Sequence, residues 1–281
     1  VLQHLWRLTR GEHGVLAALA SSSSYVIAGG RDALAIALVV ASTFLAEACL
    51  FAHNDLCNLA EDRINRPGAP LVTGAISIRA ARVVAYSSLA AGALASLLLG
   101  LALGPAPPLV YAAAVALGIL YNSRLKRIPV AGSLAVSIIT SMTYIYGMAC
   151  AGALAPALLL LFASSLLAAL GREFVKAALD YEGDLRAGVR TIAAVIGPRR
   201  SVLLGAALTL SSTALGWILV LVALDARLAA LAAGAAATNV ALTILSVEAI
   251  RGRLEAYRTG TLVAFGATLI ALAAEAAWRL F

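Results

Sequence analysis

The stretch ALAIALVVASTFLAEACLFA, residues 33–52, holds a single charge, Glu47. At the 1.5 Å rise of an α-helix its twenty residues cover about 30 Å, the thickness of a bilayer's hydrocarbon core. Similar windows fill the chain at 13–30, 80–103, 106–121, 130–151, 154–176, 200–223, 226–247 and 258–278. The first is the weakest, because Ser21 to Ser24 dilute it. With 62% hydrophobic residues, 12% charged residues and a mean hydropathy of +0.94, no soluble fold could hide the apolar surface. The expected fold is all-α and polytopic: one transmembrane domain over 1–281, with nine helices around a central, lipid-accessible cavity. Arg7 and Arg10 precede apolar sequence that leads into further spans, so an integral protein is expected rather than a cleaved signal. Cys49, Cys57 and Cys150 lack metal-ligand spacing and read as small apolar side chains.

Eighteen of the 21 basic residues fall on one side of this arrangement. They lie at the N-terminus and in the connections after the second, fourth, sixth and eighth windows, leaving Arg31, Arg227 and Arg279 for the other side. The positive-inside rule then predicts a cell-membrane protein with its N-terminus in the cytoplasm, its C-terminus outside and its chemistry on the cytoplasmic face. The bilayer is the expected partner of the basic side, and no nucleic acid is.

Two acid-rich segments end spans on that face. The first, HNDLCNLAEDRINRP at 53–67, places Asn54, Asn58 and Asp62 at i, i+4 and i+8 if the helix continues, with Asp55 beside them. The second, GREFVKAALDYEGD at 171–184, repeats Arg172, Lys176, Asp180 and Asp184 every four residues. Acids one turn apart can share a cation, and Mg²⁺ takes one or two carboxylates, waters and phosphate oxygens. Solvated helix ends with i,i+4 ion pairs are the plainer reading of either segment alone; two of them on one face favour function.

At these residues the chain resembles the UbiA superfamily of intramembrane prenyltransferases. The superfamily's first motif, N-D-x-x-D-x-x-x-D, is matched by Asn54, Asp55 and Asp62, with Asn58 in place of the middle acid. The second, D-x-x-x-D, is matched by Asp180 and Asp184, with Ala177 where an acid often follows the lysine. A tyrosine before a basic pair is matched by YNSRLKR at 121–127. Within the superfamily the chain is most similar to archaeal digeranylgeranylglyceryl phosphate synthases.

The resemblance implies Mg²⁺ as cofactor, held by Asn54, Asp55, Asn58, Asp62, Asp180 and Asp184. It implies a prenyl diphosphate donor gripped by Arg63, Lys126, Arg172 and Lys176 together with the two asparagines, and catalysis by the four aspartates with Tyr121. The acceptor would be an anionic lipid-like molecule, geranylgeranylglyceryl phosphate, or an aromatic one such as 4-hydroxybenzoate. Tyr144 and Tyr146 read as packing aromatics more than site residues, and His53 as structural. A transporter is the non-enzyme alternative, but the acids cluster at one face, and the two deep ones, Glu47 and Glu275, suggest no partner.

Overall fold

The computed structural model describes residues 2–186 and 190–280, and among them every regular element is helical. In chain order these are α1 (Leu2–Thr9), α2 (Gly11–Ile27), α3 (Ala33–Cys57), α4 (Leu59–Asn65), α5 (Ile78–Leu103) and α6 (Ala106–Ser123). A short 3₁₀ turn, Leu125–Arg127, leads to α7 (Ala131–Ala151), α8 (Pro156–Leu179), α9 (Tyr181–Arg186) and α10 (Ile192–Ile196). Three long helices close the chain: α11 (Pro198–Asp225), α12 (Ala229–Ile250) and α13 (Leu254–Leu280).

Eight of the described helices are long and apolar enough to cross a bilayer: α3, α5, α6, α7, α8, α11, α12 and α13. The remaining expected window, 13–30, forms α2, whose 17 residues cover about 25 Å. Three of the four serines that weaken it as an apolar window, Ser21, Ser23 and Ser24, are buried, and Ser21 Oγ lies 2.9 Å from Thr43 Oγ1 of α3. Ser21 thus serves packing between α2 and α3. Several helices outrun their windows, α3 to Cys57 and α13 over 254–280, because polar residues at the span ends keep helical geometry.

The chain divides into two compact units. One holds residues 1–123 and 146–153, the other 124–145 and 154–281. In the first, α3 is the central helix and packs on α1, α2, α5 and α6. Tyr146 inserts its hydroxyl between Ser42 Oγ, 2.8 Å away, and Ser96 Oγ, 3.2 Å away, which makes it a packing residue as its sequence context suggests. In the second unit α8 and α11 pack closely: a Cβ at Gly171 would stand 2.5 Å from Gly205 O, and Ser201 donates to Phe174 O at 2.7 Å. Small residues and cross-helix hydrogen bonds replace the hydrophobic drive that lipid cannot supply.

Glu275, a deep acid with no evident partner in the sequence, has two. It accepts from the Ala230 backbone N–H at 2.9 Å, at the start of α12, and meets Arg279 at 3.4 Å.

Candidate active site

The first acid segment does not continue as one helix. α3 stops at Cys57, Asn58 takes φ −104°, ψ 7°, and the chain turns into α4. Asparagine tolerates this bridge conformation well. The Asp62 N–H still donates to Asn58 O at 2.8 Å, so Asp62 follows the interruption by one turn while Asp55 precedes it. The two acids flank the break. Arg66, just past α4, spans it: its Nη1 lies 3.2 Å from Asp55 Oδ1 and 3.6 Å from Asp62 Oδ2. One cationic nitrogen therefore occupies a position shared by both carboxylates.

Arg10, between α1 and α2, reaches the same Asp55 Oδ1 at 3.6 Å and lies over the Phe51 ring at 4.5 Å. Burial pushes its guanidinium below the ordinary arginine pKa, and the Asp55 carboxylate opposes that shift. Asp55 is only 1% exposed, and its Oδ2 is buried without a hydrogen-bond partner. Leaving a charged oxygen so placed is costly. Asn58 Nδ2 donates to Asn54 Oδ1 at 3.1 Å, and Asn54 Nδ2 to Asn122 Oδ1 at 2.7 Å. Asn122 Nδ2 in turn donates to Leu50 O at 2.9 Å and lies 3.2 Å from His53 Nδ1. The asparagines thus tie α3 to α6, and His53 belongs to that network.

The second segment breaks in the same way. α8 ends at Leu179, Asp180 takes φ −86°, ψ 2°, and α9 resumes at Tyr181. The Asp184 N–H donates to Asp180 O at 2.9 Å. Burial raises the pKa of Asp184 above the ordinary carboxylate value, and neighbouring Asp180 adds to the shift. Arg172 pairs with Glu173 at 3.5 Å and keeps its Nε buried without a partner. Lys176 lies one turn before Asp180, is half-buried and lowers the Asp184 pKa in opposition to these effects.

The remaining expected residues are placed less centrally. Arg63 is exposed, and Arg66 rather than Arg63 is the guanidinium of α4 and its end that meets the acids. Tyr121 is half-buried at the end of α6, next to Asn122, and Lys126 is half-buried in the 3₁₀ turn. Within the second unit a cavity of about 120 Å³ is lined by Tyr144, Ser164, Ser212, Asn239, Phe265 and Thr268 among others. Sequence spacing misses Arg10 and Asn122, which lie 45 and 68 residues from their partners Asp55 and Asn54.

No group of three or more His, Cys, Asp or Glu able to hold a metal occurs among the described residues. Each segment offers two aspartates, and the first adds amide oxygens and an unpartnered buried carboxylate oxygen. That donor set fits a hard cation which takes its other ligands from water and phosphate.

Fold and site together define a multi-pass, all-helical membrane protein with paired acids at interrupted helices. The UbiA prenyltransferase family matches residues 15–259. The digeranylgeranylglyceryl phosphate synthase of Methanoregula boonei is 36% identical over 209 residues, 72% of this chain and 71% of that protein. A solved digeranylgeranylglyceryl phosphate synthase structure has the same fold, with a TM-score of 0.80 at 21% identity over 98% of each chain. A UbiA homologue from Archaeoglobus fulgidus bound to GPP and Mg²⁺ gives a TM-score of 0.73 at 20% identity over 99% of each chain. The chain belongs to the UbiA prenyltransferase family.

Proposed function

We propose that this prenyltransferase moves a geranylgeranyl group from geranylgeranyl diphosphate to geranylgeranylglyceryl phosphate, in the sense of the name carried by its relative from Methanoregula boonei. The observation that carries the reading is the cation position between Asp55 and Asp62, beside a buried carboxylate oxygen with no protein partner. The Mg²⁺ and GPP bound by the homologue from Archaeoglobus fulgidus support the same ligand class.

In this reading the whole chain acts as one prenyltransferase domain with its site towards the cytoplasm. Asp55 and Asp62, with Asn54 and Asn58, and Asp180 with Asp184, would hold Mg²⁺. The metal, when bound, supplies electrostatic stabilisation of the charge that grows on a leaving diphosphate. Arg63, Lys126, Arg172 and Lys176 contact phosphate oxygens, the arginines through two parallel N–H groups. Tyr121 presents its ring face to the allylic carbon as the C–O bond lengthens. Burial among helices keeps water from that carbon.

The test is to incubate detergent-purified protein with geranylgeranyl diphosphate and Mg²⁺, offering geranylgeranylglyceryl phosphate and 4-hydroxybenzoate separately, with products identified by mass spectrometry. The expected product is the doubly alkylated glyceryl phosphate, absent from Asp62→Ala and Asp180→Ala preparations that remain folded. Transfer to 4-hydroxybenzoate alone overturns the proposed acceptor.

A further inference from the structure

We propose that Arg66 is an exchangeable occupant of the cation position, and that its displacement makes metal and diphosphate binding at the first acid segment depend on each other. This rests on the reading of that segment as a metal–diphosphate site. The charge arithmetic is local. Asp55 and Asp62 are matched by Arg10 and Arg66, so the cluster is neutral as it stands. A divalent cation arriving alone must evict a guanidinium from the acids. A diphosphate arriving alone must pull one away from them. Arriving together, the two satisfy every charge at once: the cation takes the carboxylates, and the released guanidinium takes phosphate oxygens in the bidentate mode arginine favours.

The geometry separates the two arginines. Arg10 is anchored: its backbone holds the left-handed conformation φ 44°, ψ 59°, rare for a residue with a side chain, and its guanidinium rests on Phe51. It meets Asp55 and makes no ion pair with Asp62 among the described residues. Arg66 sits past the end of α4, is 40% exposed and places one nitrogen between both acids. A cation seated between Asp55 and Asp62 therefore displaces Arg66 and leaves Arg10 in place. Asp55 can then keep one oxygen on Arg10 and offer the buried Oδ2, which lacks a partner, to the cation.

The experiment measures Mn²⁺ binding to the purified full chain by electron paramagnetic resonance, with and without inorganic diphosphate. For the wild type, diphosphate should tighten Mn²⁺ binding about tenfold or more, within the usual range of coupling between sites. Arg66→Ala should bind Mn²⁺ alone about tenfold more tightly than the wild type, because the competing cation is gone, and should gain less from diphosphate. Arg66→Lys keeps the charge without the fork and should fall between the two; it also serves if the alanine variant does not fold. Unchanged or weaker Mn²⁺ binding by Arg66→Ala in the absence of diphosphate overturns the inference, as does a wild type with no diphosphate effect but intact prenyl transfer. Intact coupling without transfer to geranylgeranylglyceryl phosphate would instead count against the proposed acceptor and leave this inference standing.

Discussion

Asp184 carries a cost that a purely structural residue would not. Its carboxyl is partly buried one turn after Asp180, and both burial and that neighbour hold its pKa above the ordinary carboxylate value. A pKa raised in the folded state means that the folded protein binds this proton more tightly than the unfolded chain does. Stability from this group is full below the unfolded pKa and is lost as pH rises through the folded one. At neutral pH the ionised side chain therefore destabilises the metal-free fold. Asp184→Asn should raise the melting temperature of chelator-treated protein at pH 7, and the advantage should shrink as pH falls and vanish below the unfolded carboxylate pKa of about 3.9, where the aspartate is protonated in both folded and unfolded states. A variant no more stable than the wild type at pH 7 would show that the ionised carboxylate costs the fold nothing. The identity of this residue was legible in the sequence, because acids four apart at a span end are visible as spacing. The partners of Asp55, in the first segment, were not. Asp55 meets Arg10 from 45 positions away, and the contact depends on a left-handed residue between two helices. Arg63 and Arg66 are alike in the one-dimensional pattern; only the turn at Asn58 decides that Arg66 spans the acids.

The helices themselves follow from apolar length, so their existence was legible and their ends were less so. Nothing in HNDLCNLAED forbids a continuous helix, and the i, i+4, i+8 spacing favours one. Asn58 and Asp180 nevertheless leave helical geometry, since short polar side chains tolerate the bridge conformation as readily as the helix. Both breaks keep a backbone bond to the fourth residue beyond, so each bends the chain without losing the next acid's place. A different device sets the start of α12. Leu228 precedes that helix without a capping side chain, and Glu275 from α13 supplies the missing acceptor to the Ala230 N–H. Glu275→Ala should cost about 1 kcal/mol, the usual worth of a helix cap. Glu275→Gln keeps an oxygen for Ala230 but gives up the Arg279 pair, and should lose less. Thermal unfolding in detergent distinguishes them; equal stability of all three proteins would show that α12 needs no cap from α13.

At the scale of the whole molecule, the distribution of charge becomes an experiment. Eighteen of 21 basic residues fall on one side of the predicted spans, which puts both acid segments in the cytoplasm if lipid charge orients the chain as it usually does. Cys49 and Cys150 are buried and Cys57 is exposed, so a Cys57→Ala background leaves no accessible thiol among the described residues. Asp225, at the end of α11, and Glu255, at the start of α13, are both exposed and lie on opposite predicted sides. In intact cells a membrane-impermeant maleimide should label Asp225→Cys and spare Glu255→Cys, and permeabilisation should expose both. The reverse pattern would place Asp55, Asp62, Asp180 and Asp184 outside, away from any cytoplasmic supply of a diphosphate donor. Prenyl transfer would then have to draw its donor from the other leaflet, so the labelling result bears directly on where the substrate enters.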